Sequence, residues 1–251
     1  MVPQNPILLI MAPMPDSFRL GDLILPQDGA GPVAFNRAKF PGIEAIEAVL
    51  AGLSFTLTYH RAEEARQFSS EGKWDPIFYS PPKQPLPAIG ITLSDHIISA
   101  KHDSTVNKTL LQLARIIGEA LEAKSVVWQP AKLHIGFEYF TEATSQYSDG
   151  GPFPVLVQIA ISESAEGIFQ TSGLSYFSGQ EMRLSAPSDY PPNQVIKRLV
   201  RIAHDIASNG KIDTPIEAEG FVPGEMLSLT PSSDLAFVDI AIAASSPRQL
   251  H

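Results

Sequence analysis

The chain has no cysteine among its 251 residues, which excludes disulfides, thiolate zinc sites, iron–sulfur clusters and cysteine nucleophiles together. Positive charge is also scarce. Lys and Arg total 18 against 27 Asp and Glu, a formal charge of −9, and binding to a phosphate backbone depends on clustered basic residues. Nucleic acid is therefore not an expected partner. Long apolar runs are missing as well. Ile7 to Met11 covers five residues with no basic residue before it, too short and wrongly flanked for a signal peptide. Nothing approaches the roughly eighteen uninterrupted apolar residues of a membrane span. A soluble, cytoplasmic protein without a membrane partner is expected. Charged residues are only 18% and apolar residues 44%, a balance that belongs to folded globular chains and not to disordered ones.

Proline is plentiful, at 22 residues, much of it in clusters such as Pro81-Pro82-Lys83-Gln84-Pro85 and Pro191-Pro192. Interior proline breaks helices, so an all-α architecture is disfavoured. The length suits one large domain or two small ones. Up to Pro130 there are 11 basic and 13 acidic residues, and beyond it 7 and 14, so the acidity is concentrated in the second part.

In residues 1–130, Ile7 to Ala12 reads as a buried strand closed by Pro13. Asp28-Gly29-Ala30-Gly31-Pro32 reads as a loop, since it lacks the lysine and following helix of a phosphate cradle. Pro41 then opens an expected short helix, with Ile43, Ile46, Val49 and Leu50 on one face and Gly52 as its stop. Phe55, Leu57 and Tyr59 alternate with polar residues as in a half-buried strand. A polar stretch from Glu63 to Lys73 precedes expected strands at Asp75 to Ser80, Ala88 to Leu93 and Ile97 to Lys101. Ser104 is the expected cap of a helix carrying Val106, Leu110, Leu113, Ile117 and Leu121. Val126-Val127-Trp128 follows as a strand. This order gives the expected fold class, α+β with a ferredoxin-like, split βαβ first part.

Residues 131–251 read as a second, antiparallel α+β part, possibly continuous with the first. His134 to Thr144 suits a helix or a strand. Val155 to Ile161 reads as a mostly apolar strand, with Phe169 to Ser172 and Gln180 to Leu184 as antiparallel neighbours. Pro191-Pro192 starts a long helix over 191–209 with Val195, Leu199, Ile202 and Ile206 as its buried stripe, ended by Asn209-Gly210. Met226 to Leu229 and Leu235 to Ala243 finish as strands, before a tail at Ser245-Ser246-Pro247.

The order of these features, from Val126-Val127-Trp128-Gln129-Pro130 through the Val155 strand and Thr171-Ser172-Gly173-Leu174 to the Pro191 helix, resembles the bacterial domain-of-unknown-function family 4261. His96-Ile97-Ile98-Ser99-Ala100-Lys101-His102 resembles, in reduced form, that family's histidine-bearing strand. The resemblance covers about residues 88 to 230. It implies fold unity and bacterial origin, and it carries no established chemistry.

No pattern commits the chain to catalysis, to a cofactor or to a metal. His96 and His102, six residues apart, would lie about 20 Å apart on a continuous strand, too far to share a metal. His134 and Glu138 have i, i+4 spacing, but no second histidine completes an HExxH-type set. Ser175 in Gly173-Leu174-Ser175-Tyr176-Phe177 lacks the second glycine of a nucleophile elbow. Among the positions the resemblance singles out, Trp128 most simply fills core, and Gly173 most simply supplies positive φ beside Thr171. Lys197, Arg198 and Arg201 read as the outer face of the long helix. From Ile212 to Pro247 there are six acidic residues, among them Glu217, Glu219 and Glu225, and no Lys or Arg. Such a surface would steer a basic protein partner by long-range attraction; its spacing fits no EF-hand loop. The leading expectation is thus a non-enzymatic interaction module with Glu217, Glu219 and Glu225 as contacts. The alternative is a small-molecule-binding domain or enzyme with a cleft between the two parts, for which His96, His102, Trp128, Thr171 and Gly173 are the candidate ligand contacts.

Overall fold

The computed structural model describes residues 5–25, 32–36, 45–70, 75–80, 82–164, 167–185 and 190–243. The Asp28 to Gly31 part of the glycine-rich loop, the Pro41 helix start and the Ser245 tail lie outside them. The architecture is α+β, with two mixed sheets. The chain divides into two compact units between Val157 and Gln158. This is later than the boundary after Pro130 expected from the order of elements, because the segment after Pro130 supplies a strand and a helix to the first unit.

The first unit holds β1 (Leu8–Met11), β2 (Ala34–Asn36), β3 (Ala45–Leu50), β4 (Leu53–His60), α1 (Ala62–Ser70), β5 (Asp75–Ile77), β6 (Ala88–Leu93), α2 (Ser104–Ala120), β7 (Ser125–Trp128), β8 (Leu133–Gly136) and α3 (Phe137–Ser148). The sheet order is β2-β3-β4-β6-β1-β7-β8-β5. Strand β1 lies between β6 and β7 and runs antiparallel to both, so the β6-α2-β7 crossover is split by β1, as a split βαβ unit requires.

The expected helix before Gly52 is instead strand β3 in its described part. Ile46, Ala48 and Leu50 are buried and pair with β4 in the register Leu50↔Leu53. Ala51 and Gly52 both have positive φ, 51° and 79°, the signature of a two-residue type I′ hairpin turn. Gly52 therefore reverses a strand, whereas glycine after an apolar run predicts the stop of a helix. The expected strand at Ile97 to Lys101 is a 3₁₀ turn over Ile98–Ala100, held by Ile97 N–H to Ser94 C=O and Ala100 N–H to Ile97 C=O, both 2.9 Å. Helix α1 falls in the stretch read only as polar. Its Glu64 side chain accepts the Arg61 N–H at 3.1 Å, and Ala65 and Phe68 pack on Leu9, Met11, Ala88 and Val127.

Leu8, Ile10, Ile89, Ile91, Val126 and Trp128 alternate with those residues and point to the opposite face. There α2, which packs on β1 and β4, and α3, which packs on β7 and β8, supply the cover. Asp103, one residue before the expected cap, accepts the Thr105 N–H at 2.7 Å and starts α2. Each fully buried aliphatic side chain in this layer contributes about 1.5–3 kcal/mol. The ambiguous segment after Ala131 is both things expected of it, β8 followed by α3. The change occurs at Gly136, where a Cβ would overlap the Phe78 carbonyl oxygen.

One turn of helix, α4 (Val155–Gln158), spans the boundary between the units. It replaces the first half of the expected Val155 strand, and Val157 N–H donates to Pro154 C=O at 3.0 Å. The second unit then holds β9 (Ala160–Glu163), β10 (Ile168–Ser172), α5 (Ser175–Ser178), β11 (Glu181–Ser185), α6 (Pro192–Asn209), β12 (Ile216–Glu219), β13 (Met226–Pro231) and β14 (Phe237–Ala243). Its order is β12-β13-β14-β11-β10-β9. The sheet is not wholly antiparallel, since β11 and β14 run parallel. Helix α6 packs on β10 and β11, burying Val195, Leu199, Ile202 and Ile206 as their spacing predicts. No helix among the described residues is long and apolar enough to cross a membrane.

Candidate interaction surface

The second unit presents its most distinctive geometry where α6 meets the turn between β12 and β13. Arg198 lies three residues after Val195 and four before Ile202, so it falls on the buried stripe of α6 and not on its outer face. It is 1% exposed, and Glu225 is 5% exposed. The guanidinium donates to Glu225 Oε1 from Nη2 at 2.6 Å and from Nε at 3.1 Å. The Tyr190 hydroxyl donates to the same oxygen at 2.8 Å, and the Phe221 N–H donates to Oε2 at 2.6 Å. Burial alone would raise the Glu225 pKa. The hydrogen bonds from Arg198, Tyr190 and Phe221, together with the Arg198 charge, outweigh that and hold it down to about 2.

Glu225 is thus an internal anchor, which corrects the expectation that it contacts a partner. The loop from Gly220 to Glu225 is wrapped around its carboxylate. Gly220 N–H donates to the Glu225 carbonyl at 2.9 Å, and a Cβ on Gly220 would overlap the Glu225 side chain. The consequence is outward. Phe221 and Val222 are held 49% and 56% exposed, with the Arg198 and Arg201 guanidinium carbons 5.5 and 5.4 Å from the Phe221 ring centroid. Just before them runs β12, with Ile216 45% exposed and with Glu217 and Glu219 exposed. The structure therefore brings Glu217 and Glu219 beside an apolar tip and removes Glu225 from the surface.

Thr171 and Gly173 are brought together in a different arrangement. Thr171 is fully buried; its hydroxyl donates to Glu181 Oε2 and accepts from the Met182 N–H, both at 2.7 Å. Gly173, at φ 96°, donates its N–H to Glu181 Oε1 at 2.8 Å, and Ser175 N–H does so at 3.0 Å. Glu181 thus occupies the donors of this turn, and the positive φ expected of Gly173 is present. Trp128 is 1% exposed in the core of the first unit. With Trp128 and Thr171 both sealed in, neither offers its side chain to a ligand, which corrects their candidacy as ligand contacts.

His96 and His102 are exposed and flank the 3₁₀ turn, so the spacing computed for a strand does not apply to them. Ser54 Oγ lies 3.1 Å from His96 Nε2. His134 sits on β8 and Glu138 on α3, so they do not form the helical pair their spacing suggested. Two imidazoles, His60 and His134, are partly buried, and nothing in the pattern around His60 marks it. Thr58 Oγ1 and Ser125 Oγ lie 2.8 Å from their respective Nε2 atoms. Burial lowers both pKa values, that of His134 to about 4. Ser125 is fully buried, and its hydroxyl is a core group satisfied by His134. Among the described residues, no group of three or more His, Asp or Glu could hold a metal ion.

No protein-family description, no curated protein and no solved structure matches the chain.

Proposed function

We propose that the chain is a non-enzymatic interaction module of a bacterial cytoplasm, and that its second unit binds a basic protein partner. The observation that carries this reading is the presentation of Phe221 and Val222. Two large apolar side chains are held in water by a loop anchored on a buried ion pair, and Glu217 and Glu219 stand next to them. Exposed apolar groups with a charged surround are characteristic of protein-binding surfaces. Ordering the loop in advance lowers the entropy that binding would otherwise cost. The acidic side chains speed the encounter with a basic partner and select against an acidic one. The resemblance to the domain-of-unknown-function family 4261 belongs to this reading as a statement of fold unity and origin, and it adds no chemistry.

The test is capture of partners on the full-length chain at low and high salt, beside the variants Glu217→Lys/Glu219→Lys and Phe221→Ser. A basic protein retained by the unaltered chain, weakened by salt and lost with either variant is the expected result. Retention of every captured protein by both variants would end the proposal.

A further inference from the structure

Strand β12 is one end of the second sheet, and its outer edge has no partner strand among the described residues. The register with β13 fixes which backbone groups that edge offers. Gly220 N–H bonds to the Glu225 carbonyl, and the same register pairs Ala218 with Leu227 and Ile216 with Leu229. In an antiparallel ladder the hydrogen-bonded pairs alternate. The N–H and C=O groups of Ile216 and Ala218 therefore turn toward β13, and those of Glu217 and Glu219 turn outward. Ile216 and Ala218 share a sheet face with the buried Leu227 and Leu229. The carboxylates of Glu217 and Glu219 stand on the other face.

We infer that β12 accepts an extended, basic segment of a partner protein as an added strand, with Lys or Arg side chains beside Glu217 and Glu219 and an apolar side chain against Phe221 and Val222. The inference rests on the interaction reading above and deepens it by naming the mode of binding. Strand addition supplies affinity through main-chain hydrogen bonds and specificity through alternate side chains. Charged residues on an edge commonly guard against edge-to-edge aggregation. Here both guards have the same sign. A second copy of β12 would place carboxylate against carboxylate, whereas cross-strand pairs of opposite charge stabilise a ladder. The pair therefore excludes the chain itself and admits a basic strand.

The probe is a ten-residue peptide of alternating Lys and Val with a fluorescein at its N-terminus, titrated with the full-length chain by fluorescence anisotropy, with amide hydrogen exchange of the chain measured at saturation. Binding is expected, with slowed exchange at the Glu217 and Glu219 amides. A peptide N-methylated along its whole backbone should bind at least tenfold more weakly. Glu217→Pro removes an outward N–H and the same carboxylate as Glu217→Ala while leaving the β13 pairing, and it should weaken the peptide at least tenfold more than Glu217→Ala does, with an unchanged circular dichroism spectrum. Glu217→Lys/Glu219→Lys should also weaken it at least tenfold. Absence of peptide binding, equal binding of the N-methylated peptide, or unaltered exchange at Glu217 and Glu219 would each overturn strand addition. If a captured basic partner is lost with Glu217→Lys/Glu219→Lys but kept by Glu217→Pro, strand addition fails and the acidic-surface reading stands. If both variants keep it, both fail.

Discussion

Replacing Glu225 by glutamine removes one charge from a pair whose side chains are 1% and 3% exposed, and leaves the Arg198 guanidinium buried without a counter-ion. Two routes give the size of the loss. Removing one member of a buried ion pair costs about 3–5 kcal/mol, because the remaining charge is left desolvated. The Glu225 carboxyl is held at about 2 against an ordinary 4.5, which corresponds to roughly 3 kcal/mol of stability at neutral pH. The sign follows from the direction. A carboxyl group whose folded pKa is depressed stabilises fully above its unfolded value, and that stability is lost as pH falls from about 4.5 toward 2. Urea unfolding at pH 7, followed by circular dichroism, should show Glu225→Gln less stable than the unaltered chain by about 3 kcal/mol. Hydrogen exchange should place the effect at the β12 and β13 amides, and the difference should close as the pH approaches 2. The double variant Arg198→Met/Glu225→Leu removes both charges and should recover at least half of the loss, since well-packed apolar pairs replace buried ion pairs at little cost. A Glu225→Gln chain within 0.5 kcal/mol of the original would refute the burial and pairing on which the presented loop depends.

Gly220→Ala should cost about 1–3 kcal/mol, as overpacking does, because the new Cβ would meet the Glu225 carboxylate; faster exchange of the Phe221 N–H would accompany it, and an unchanged melting curve would count against the wrapped loop. His134 should titrate near 4 and not near 6.5 when its ring is followed by NMR. Its unfolded form takes up a proton first, so stability should fall by up to about 3 kcal/mol as pH drops from 6.5 through 4, a window above that of Glu225. Thr171→Val leaves the Met182 N–H without its buried partner and removes one of the bonds to Glu181, and should cost about 1–3 kcal/mol in urea unfolding; a neutral effect would mean that the Thr171 hydroxyl does not help to fix Glu181 and Met182.

Much of the fold could be read one residue at a time. The strands β4, β10 and β11 and the helices α2 and α6 follow from local periodicity, because their apolar residues recur at the spacing of one buried face, and β1, β6 and β7, buried on both faces, follow from short continuous apolar runs. So does the positive φ of Gly173, which only glycine adopts without strain. The position of Arg198 was equally legible, since its spacing from Val195 and Ile202 puts it on the buried stripe. Its charge points to the outer face, and its spacing to the buried one.

Other features depended on what each segment met in three dimensions. An apolar run ending in glycine stops a helix or turns a hairpin, and at Leu50-Ala51-Gly52 the choice was made by the neighbouring strand β4, which offered a ladder. The run from Val155 to Ile161 carries no polar alternation, so its period could not separate a turn of helix from a strand. Glu225 sits 27 residues beyond Arg198 in sequence, and nothing near it marks it as different from Glu217 or Glu219. Composition could establish that the end of this chain is acidic. Only the packing of α6 against the turn could decide which of those carboxylates is spent inside on an arginine and which remain on the surface, because a buried charge is tolerated only where a partner with opposite charge has been brought to it.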